Sequence, residues 1–431
     1  MNPVHIAAGG AFLSVVLGVG VVLPQLTKVE YTNDIANALV DSAQNIKEAV
    51  SPDSRTVVEH VPLPPQVKAI YMTSCVAGTK DFRARLVALI EETEINSVVI
   101  DIKDYSGTIS FPPASEAWKP AWAEARCGTS DMQEFIATLH EKGIFVIGRI
   151  TVFQDPFYAE IRPDLAVKKS DGTTVWKDHK GLSFIDVGAK AYWDHIVQLA
   201  IDSYNIGFDE LNFDYVRYPS DGPMQDISFT HSKSFSGDDM MQANLESFFE
   251  YLDEKMEDPD LFASVRHENT GRETNVPWTS ADLFGMTTTN YDDLSIGQVQ
   301  DRAAPYFDFI APMVYPSHYP KSFLGLGNPN DYPYKVVNYA MSAGVERMMS
   351  STTPMQGFLH ERIGTSTPAV YEKPVYTADK FRTWIQDFDY GGDYDAADVR
   401  AQIKASYDAG VESWMVWAPS NIYTRAAFEE E

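Results

Sequence analysis

Seven carboxylates in this chain stand in or at the ends of apolar runs. Asp101 and Asp104 close SVVIDIKD, and Asp155 follows IGRITVFQ. Glu210 and Asp214 stand in GFDELNFDY, Asp282 in SADLF and Asp387 in WIQDF. A carboxylate in an apolar strand costs free energy unless it is paired or does chemistry. Near the same run ends come Lys103, Arg149, Arg217, Tyr315, His318 and Asn421, with the aromatic surface of Trp384, Trp414 and Trp417. Two carboxylates flanking a glycosidic bond are the minimal machinery for its hydrolysis. One donates a proton to the leaving oxygen, and the other attacks or activates water. Burial or a nearby like charge raises the donor's pKa, while Lys103 or Arg149 could keep the other acid ionised. For Asp101, Asp104 and Asp155 a helix cap or a structural ion pair is an equal explanation. His318 fits a surface loop as well as a substrate hydrogen bond.

The stretch Gly207–Gly222, GFDELNFDYVRYPSDG, organises the rest. A strand's alternation puts Glu210, Asn212 and Asp214 on one face and Asp209, Leu211 and Phe213 on the other. Phe208, Phe213, Tyr215 and Val216 point to burial on both sides rather than to an edge strand with one solvated face. Pro219 and Ser220-Asp221-Gly222 end the strand in a loop.

The flanking elements repeat this plan. The strands expected are 67–73, 97–104, 145–152, the Gly207 stretch, 276–285, 307–315, 380–388 and 412–417. Helical patterns fall at 82–90, with Asp81 as N-cap, and at 130–141, 192–204, 240–256, 296–306, 334–348 and 396–409. Eight alternations predict an α/β fold, a (β/α)8 TIM barrel over residues 67–431. The rival, a doubly wound open sheet, lacks a G-x-G-x-x-G after an early strand. In a barrel the acids named above sit at the catalytic, C-terminal ends of the strands. The long extras 258–275 and 350–379 fall on the opposite face.

Composition excludes several functions. A net charge of −27, from 61 acidic and 34 basic residues, disfavours nucleic acid and anionic membrane surfaces as partners. No H-E-x-x-H, Cys/His cluster or G-x-S-x-G is present, so no metal or cofactor is expected and serine-hydrolase chemistry is disfavoured. Asp387–Asp398, DFDYGGDYDAAD, departs from a calcium loop at Gly391 and Asp398, and Asp395 with Asp398 reads as a helix start. Cys75 and Cys127 allow one bridge if the protein is exported.

Residues 4–23 carry no Asp, Glu, Lys or Arg, and about 20 apolar residues can span a bilayer. No A-x-A follows Leu23, which favours an uncleaved signal-anchor over 1–26; cleavage and secretion is the alternative. The barrel is then expected outside the cytoplasm of a single-pass membrane protein. Residues 27–66 read as a linker with a helical pattern at 33–50 and stiffening prolines at 62, 64 and 65.

These motifs together, SVVIDIKDYSG, IGRITVFQDP, GFDELNFDYVRYPSDG, SADLFGMTT, IAPMVYPSHY, WIQDF and AGVESWMVWAPSNIYT, resemble a family of glycosyl-hydrolase TIM barrels long catalogued as a domain of unknown function. The resemblance spans 67–424 and implies a distant kinship with alpha-amylase-like glycosidases. It implies that Asp214 takes the nucleophile place, Asp282 the fifth-strand acid place and Asp387 the seventh-strand place of a transition-state-stabilising Asp. The amylase pattern has Arg two residues before the nucleophile, where this chain has Asn212, and Glu where it has Asp282.

The reading is a glycoside hydrolase acting on an extracellular or cell-envelope polysaccharide. Asp214 is the nucleophile or base, and Asp282 or Asp387 the acid. Asp101, Lys103, Arg149, Glu210, Asn212, Arg217, Tyr315, His318, Trp417 and Asn421 are expected to bind the sugar. A non-catalytic carbohydrate-binding envelope protein on the same scaffold is the alternative. Closely spaced carboxyls across a cleft favour the first, and scattered or salt-bridged ones the second.

Overall fold

The computed structural model describes residues 55–232 and 240–430, and the signal-anchor and the helical pattern at 33–50 lie outside them. Thirteen strands occur among the described residues. They are β1 (Val57–Glu59), β2 (Lys68–Met72), β3 (Ser97–Lys103), β4 (Phe145–Thr151), β5 (Glu210–Asp214), β6 (Arg266–Glu268), β7 (Trp278–Phe284), β8 (Phe309–Met313), β9 (Thr352–Thr353), β10 (Glu361–Arg362), β11 (Tyr371–Glu372), β12 (Thr383–Gln386) and β13 (Trp414–Trp417). Eight of them close a barrel in the order β12-β13-β2-β3-β4-β5-β7-β8. Every neighbouring pair is parallel, and the Trp384–Met313 pairing closes the ring. The dense apolar runs are fully buried because helices cover the outer face and side chains fill the lumen.

The helices between strands are amphipathic covers. Lys80–Glu91 buries Leu86, Val87 and Ile90, and Met132–Glu141 buries Phe135, Ile136 and Leu139. The helix start expected at Asp81 is corrected: Thr79 holds the cap position, and Asp81 lies in the first turn, where its charge meets the helix dipole. Asp131 stands at the head of Met132–Glu141 and takes a two-pronged ion pair from Arg83 at 2.8 and 3.0 Å. The α-helix before β8 is short, Gln300–Ala303, and runs into a 3-10 turn at Ala304–Tyr306, while a 3-10 turn, Arg425–Ala427, follows β13. Asp395 caps the helix Ala396–Asp408 in a capping box with Asp398, which accounts for the acidic run there.

The folded unit begins at Arg55, so the end of the expected linker belongs to it. β1 pairs in parallel with β6 from the 258–275 extra. Asp209 then fastens this segment beneath the barrel. Its carboxylate receives Val61 N at 3.1 Å and Val146 N at 2.7 Å, and meets His60 and His140 at 3.0 Å each. The 350–379 extra folds its own antiparallel sheet in the order β10-β11-β9. Among the described residues no helix is long and apolar enough to cross a membrane.

Candidate active site

The inward face of β3, β4, β5 and β7 builds one charged cluster at the barrel mouth. Arg149, on β4, is its centre. Its Nη1 donates to Asp101 Oδ1 at 2.6 Å, and its Nη2 and Nε donate to Asp214 Oδ2 at 2.5 and 3.0 Å. The same Nε stands 3.9 Å from Asp282 Oδ2. The Asp214 and Asp282 oxygens therefore cannot be further apart than those two contacts laid end to end. That limit covers the ~5–5.5 Å of retaining glycosidases and reaches the lower edge of the ~6.5–9.5 Å of inverting ones. Tyr71, on β2, donates its hydroxyl to Asp101 Oδ2, and its ring stacks on Trp417 with centroids 4.0 Å apart. The Arg149 guanidinium lies 5.1 Å from the Trp417 ring.

Asp282 is held differently from Asp214. Its Oδ1 accepts from Asn212 Nδ2 at 2.9 Å and from Trp384 Nε1 at 2.7 Å, which leaves Oδ2 as the oxygen to carry a proton. Burial, and then the Asp214 charge, push its pKa well above the usual carboxylate range, against the pull of Arg149. Burial likewise pushes Asp101 up to about 6. Burial opposes the Arg149 charge, but Asp214 and Asp101 more than offset it and hold the guanidinium above its ordinary value. The cluster thus sets Asp282, whose carboxyl burial pushes toward its protonated form, beside Asp214, a carboxylate ion-paired with a guanidinium.

A cavity of about 190 Å³ opens over these groups, lined by Asp214, Asp282, Arg149, Tyr315, Met313 and Trp417 among others. Burial, with Asp282 and Asp214 facing it, raises the Tyr315 hydroxyl well above its ordinary pKa. Burial lowers that of His318, also on this wall. Tyr215, directly after Asp214, has a left-handed backbone with φ +52°. That conformation is costly for an aromatic residue. Tyr215 N reaches Asp214 Oδ1 at 2.5 Å, and the Tyr215 ring packs 4.6 Å from the Arg217 guanidinium.

Of the residues expected in the site, the structure brings together Asp101, Arg149, Asn212, Asp214, Asp282, Tyr315, His318, Arg217 and Trp417. Six others are placed elsewhere. Lys103 is fully buried, 3.1 Å from Asp155, and donates to Thr151 O at 2.6 Å. A bulge between Asp101 and Lys103 turns it out of the lumen. Asp155 also caps the helix Pro156–Ile161, so both are structural. Glu210 lies at the entry of β5, fully buried, ion-paired with Arg382 and accepting Ser280 Oγ at 2.7 Å. Asn421 accepts Thr73 N at 2.9 Å and holds the end of β2. Asp387 lines the neighbouring cavity, and its oxygens take Thr424 N and Oγ1 at 2.7 Å each. Asp104 accepts Ser106 N at 2.8 Å inside a turn. Tyr71 is not among the residues expected in the site, and Tyr215 is expected only as a buried aromatic of its strand. Among the described residues no group of three or more His, Cys, Asp or Glu is placed to hold a metal ion.

Residues 69–423 match a family profile described as "Putative glycosyl hydrolase domain". The chain belongs to that family. Its reaction class, by that membership, is glycosyl hydrolysis. Among solved structures, it is similar to the PgaB (BpsB) glycoside hydrolase domain from Bordetella bronchiseptica, at 11% identity and TM-score 0.56, over 85% of this chain and 99% of that one. It also resembles alpha-L-fucosidase isoenzyme 2 from Paenibacillus thiaminolyticus, at 12% identity and TM-score 0.50, over 87% of this chain and 48% of that enzyme. At these identities the likeness is one of fold. A hypothetical protein from Ruminiclostridium thermocellum ATCC 27405 matches at 28% identity and TM-score 0.38, over 46% of this chain and 95% of its own. No curated protein matches the sequence.

Proposed function

We propose that this protein hydrolyses a glycosidic bond of an extracellular or cell-envelope polysaccharide, with Asp282 as proton donor and Asp214 as nucleophile or base. The observation that carries this reading is the shared Arg149. It brings Asp214 and Asp282 within reach of one sugar, with Asp214 ion-paired to the guanidinium and Asp282 fixed through its other oxygen by Asn212 and Trp384. Asp282 Oδ2 gives its proton to the leaving oxygen. Asp214, its charge balanced by the Arg149 guanidinium, attacks the anomeric carbon or takes the proton of an attacking water. Asp101 and Tyr71 hold Arg149 in register, and Trp417 and Tyr315 wall the sugar.

The disulfide between Cys75 and Cys127, 52 residues apart, supports an oxidising compartment. With the apolar run 4–23 it favours a barrel tethered outside the cytoplasm. Protease treatment of intact cells tests this, and a fully protected barrel would contradict it.

The non-catalytic alternative draws on the same guanidinium, because an ion-paired carboxylate is a weaker nucleophile. Asp214→Asn in the full chain decides between them. It keeps the shape of the site, and on a polysaccharide panel it loses hydrolysis while binding persists. Full hydrolysis by this variant would reject the mechanism.

A further inference from the structure

The small cavity over Asp214 is not a dead end. One flank opens into a cavity of about 1250 Å³ whose lining runs from Arg149, Tyr215 and Arg217 out to Tyr105. The other opens into one of about 810 Å³ that runs past Asp387 and Phe388 to Tyr390. Trp417 and His318 line all three, so the spaces form one groove across the barrel mouth. Each flank alone matches or exceeds the ~300–1,000 Å³ of a site that buries a drug-sized ligand.

The outer parts of both flanks present a tyrosine to solvent, Tyr105 at 60% exposure and Tyr390 at 64%. Both sit on fixed turns. Around Tyr105, Ser106 N reaches Asp104 Oδ1 at 2.8 Å and Gly107 N reaches Asp104 O at 3.1 Å. A Cβ on Gly107, whose φ is +86°, would collide with the Asp155 carboxylate. Around Tyr390, Tyr394 N reaches Asp389 Oδ1 at 2.8 Å, and Asn328 holds Gly391 O at 3.1 Å. An exposed ring on a rigid turn has a flat apolar face ready at little entropic cost. The barrel order places the two symmetrically. Tyr105 follows β3, two strands to one side of Asp214's strand. Tyr390 follows β12, two strands to the other side of Asp282's strand.

We propose that Tyr105 and Tyr390 are stacking platforms for sugar rings on opposite sides of the bond that is cut, so that the enzyme cleaves inside a polysaccharide chain. This rests on the glycoside-hydrolase reading and adds the mode of attack to it. A chain threads the open groove, one ring packs on each tyrosine, and the bond over Asp214 and Asp282 lies between them.

The test is a time course on labelled cello-, xylo-, chito- and malto-oligosaccharides of two to six units, using the full chain, Tyr105→Ala, Tyr390→Ala and Asp214→Asn. Wild type should release internal fragments first from a hexasaccharide of one series. Each tyrosine variant should lose about tenfold in kcat/KM on that hexasaccharide, with a deficit that shrinks as the substrate shortens. Release of single sugars from one end, or tyrosine variants that match wild type at every length, would overturn the platforms while leaving a hydrolase that needs Asp214. Hydrolysis equal in wild type and Asp214→Asn, or none in any series, would overturn the hydrolase reading and this inference with it.

Discussion

Asp282→Asn separates the proton-donor role from every structural role of this residue. Asn keeps a carbonyl oxygen to accept Asn212 Nδ2 and Trp384 Nε1, and it is as neutral as the protonated acid. On a substrate with an alkoxide leaving group the variant should lose 10²- to 10⁴-fold in kcat, the usual worth of a positioned acid. At ~1.4 kcal/mol per tenfold that is about 3–5 kcal/mol of barrel-mouth chemistry. On a dinitrophenyl glycoside, which leaves without protonation, most of the loss should vanish. Stability gives an independent readout. A carboxyl whose folded pKa is raised contributes stability fully present below its unfolded pKa of ~3.9 and lost as pH rises toward the folded value. Asp282 is 1% exposed and raised in this way, so wild type loses about 1.4 kcal/mol from this group for each pH unit above about 4 until the folded pKa is reached. Asn does not titrate. Urea unfolding from pH 4 to 8 should therefore show the variant near wild type at pH 4 and progressively more stable above it. Parallel stability curves would mean that Asp282 is not held protonated. A variant with more than a tenth of wild-type kcat on the poor leaving group would remove it as the acid.

Arg149→Met strands Asp214 and Asp101 without their cation. It should cost about 3–5 kcal/mol at pH 8, falling toward pH 4 as the orphaned acids take up protons, read as the urea midpoint across pH. Arg382→Met should cost a similar ~3–5 kcal/mol by leaving the buried Glu210 without its cation. Adding Glu210→Gln should restore most of the loss, whereas a Glu210 that served the substrate would show its deficit in KM instead. Tyr215→Gly removes about 1–3 kcal/mol of backbone strain. It should unfold no earlier than wild type in a thermal melt yet lose kcat/KM, and a melt lowered in step with the activity would make Tyr215 a packing residue only.

The barrel was legible because its signal is local. Runs such as SVVIDIK and FVIGRIT are dense in Val, Ile and Phe and buried at every position, as strands covered on both faces are. What the sequence could not carry was height in the barrel, irregular register and long-range pairing. Glu210 and Asp214 share a face, but they stand four residues apart, about 13 Å along the strand, so one closes the lumen floor and the other reaches the mouth. Asp101 and Lys103 also share a parity, and only the bulge between them sends Lys103 outward to Asp155. The stretch around Val57 resembled a tether because its partner strand, Arg266–Glu268, lies some two hundred residues away. Asp387 stands at a strand end, as an acid should, yet Thr424 from the next loop occupies both its oxygens.

The departure at Asn212 is resolved by register. Asn212 stands where the amylase-like pattern places Arg, and Arg149 is directly across from it on β4. From there the guanidinium reaches sideways to Asp214 rather than along the same strand. The exchange frees the position two residues below Asp214 for an amide, which reaches across to β7 and holds Asp282 Oδ1. An aspartate there is one methylene shorter than a glutamate and stays close to its strand, within range of Asn212 and Trp384. The two departures, Asn for Arg and Asp for Glu, therefore belong to one arrangement. With the cation on the neighbouring strand, its Nε stands between the two acids, donating to Asp214 and lying 3.9 Å from Asp282, whose other oxygen Asn212 and Trp384 hold.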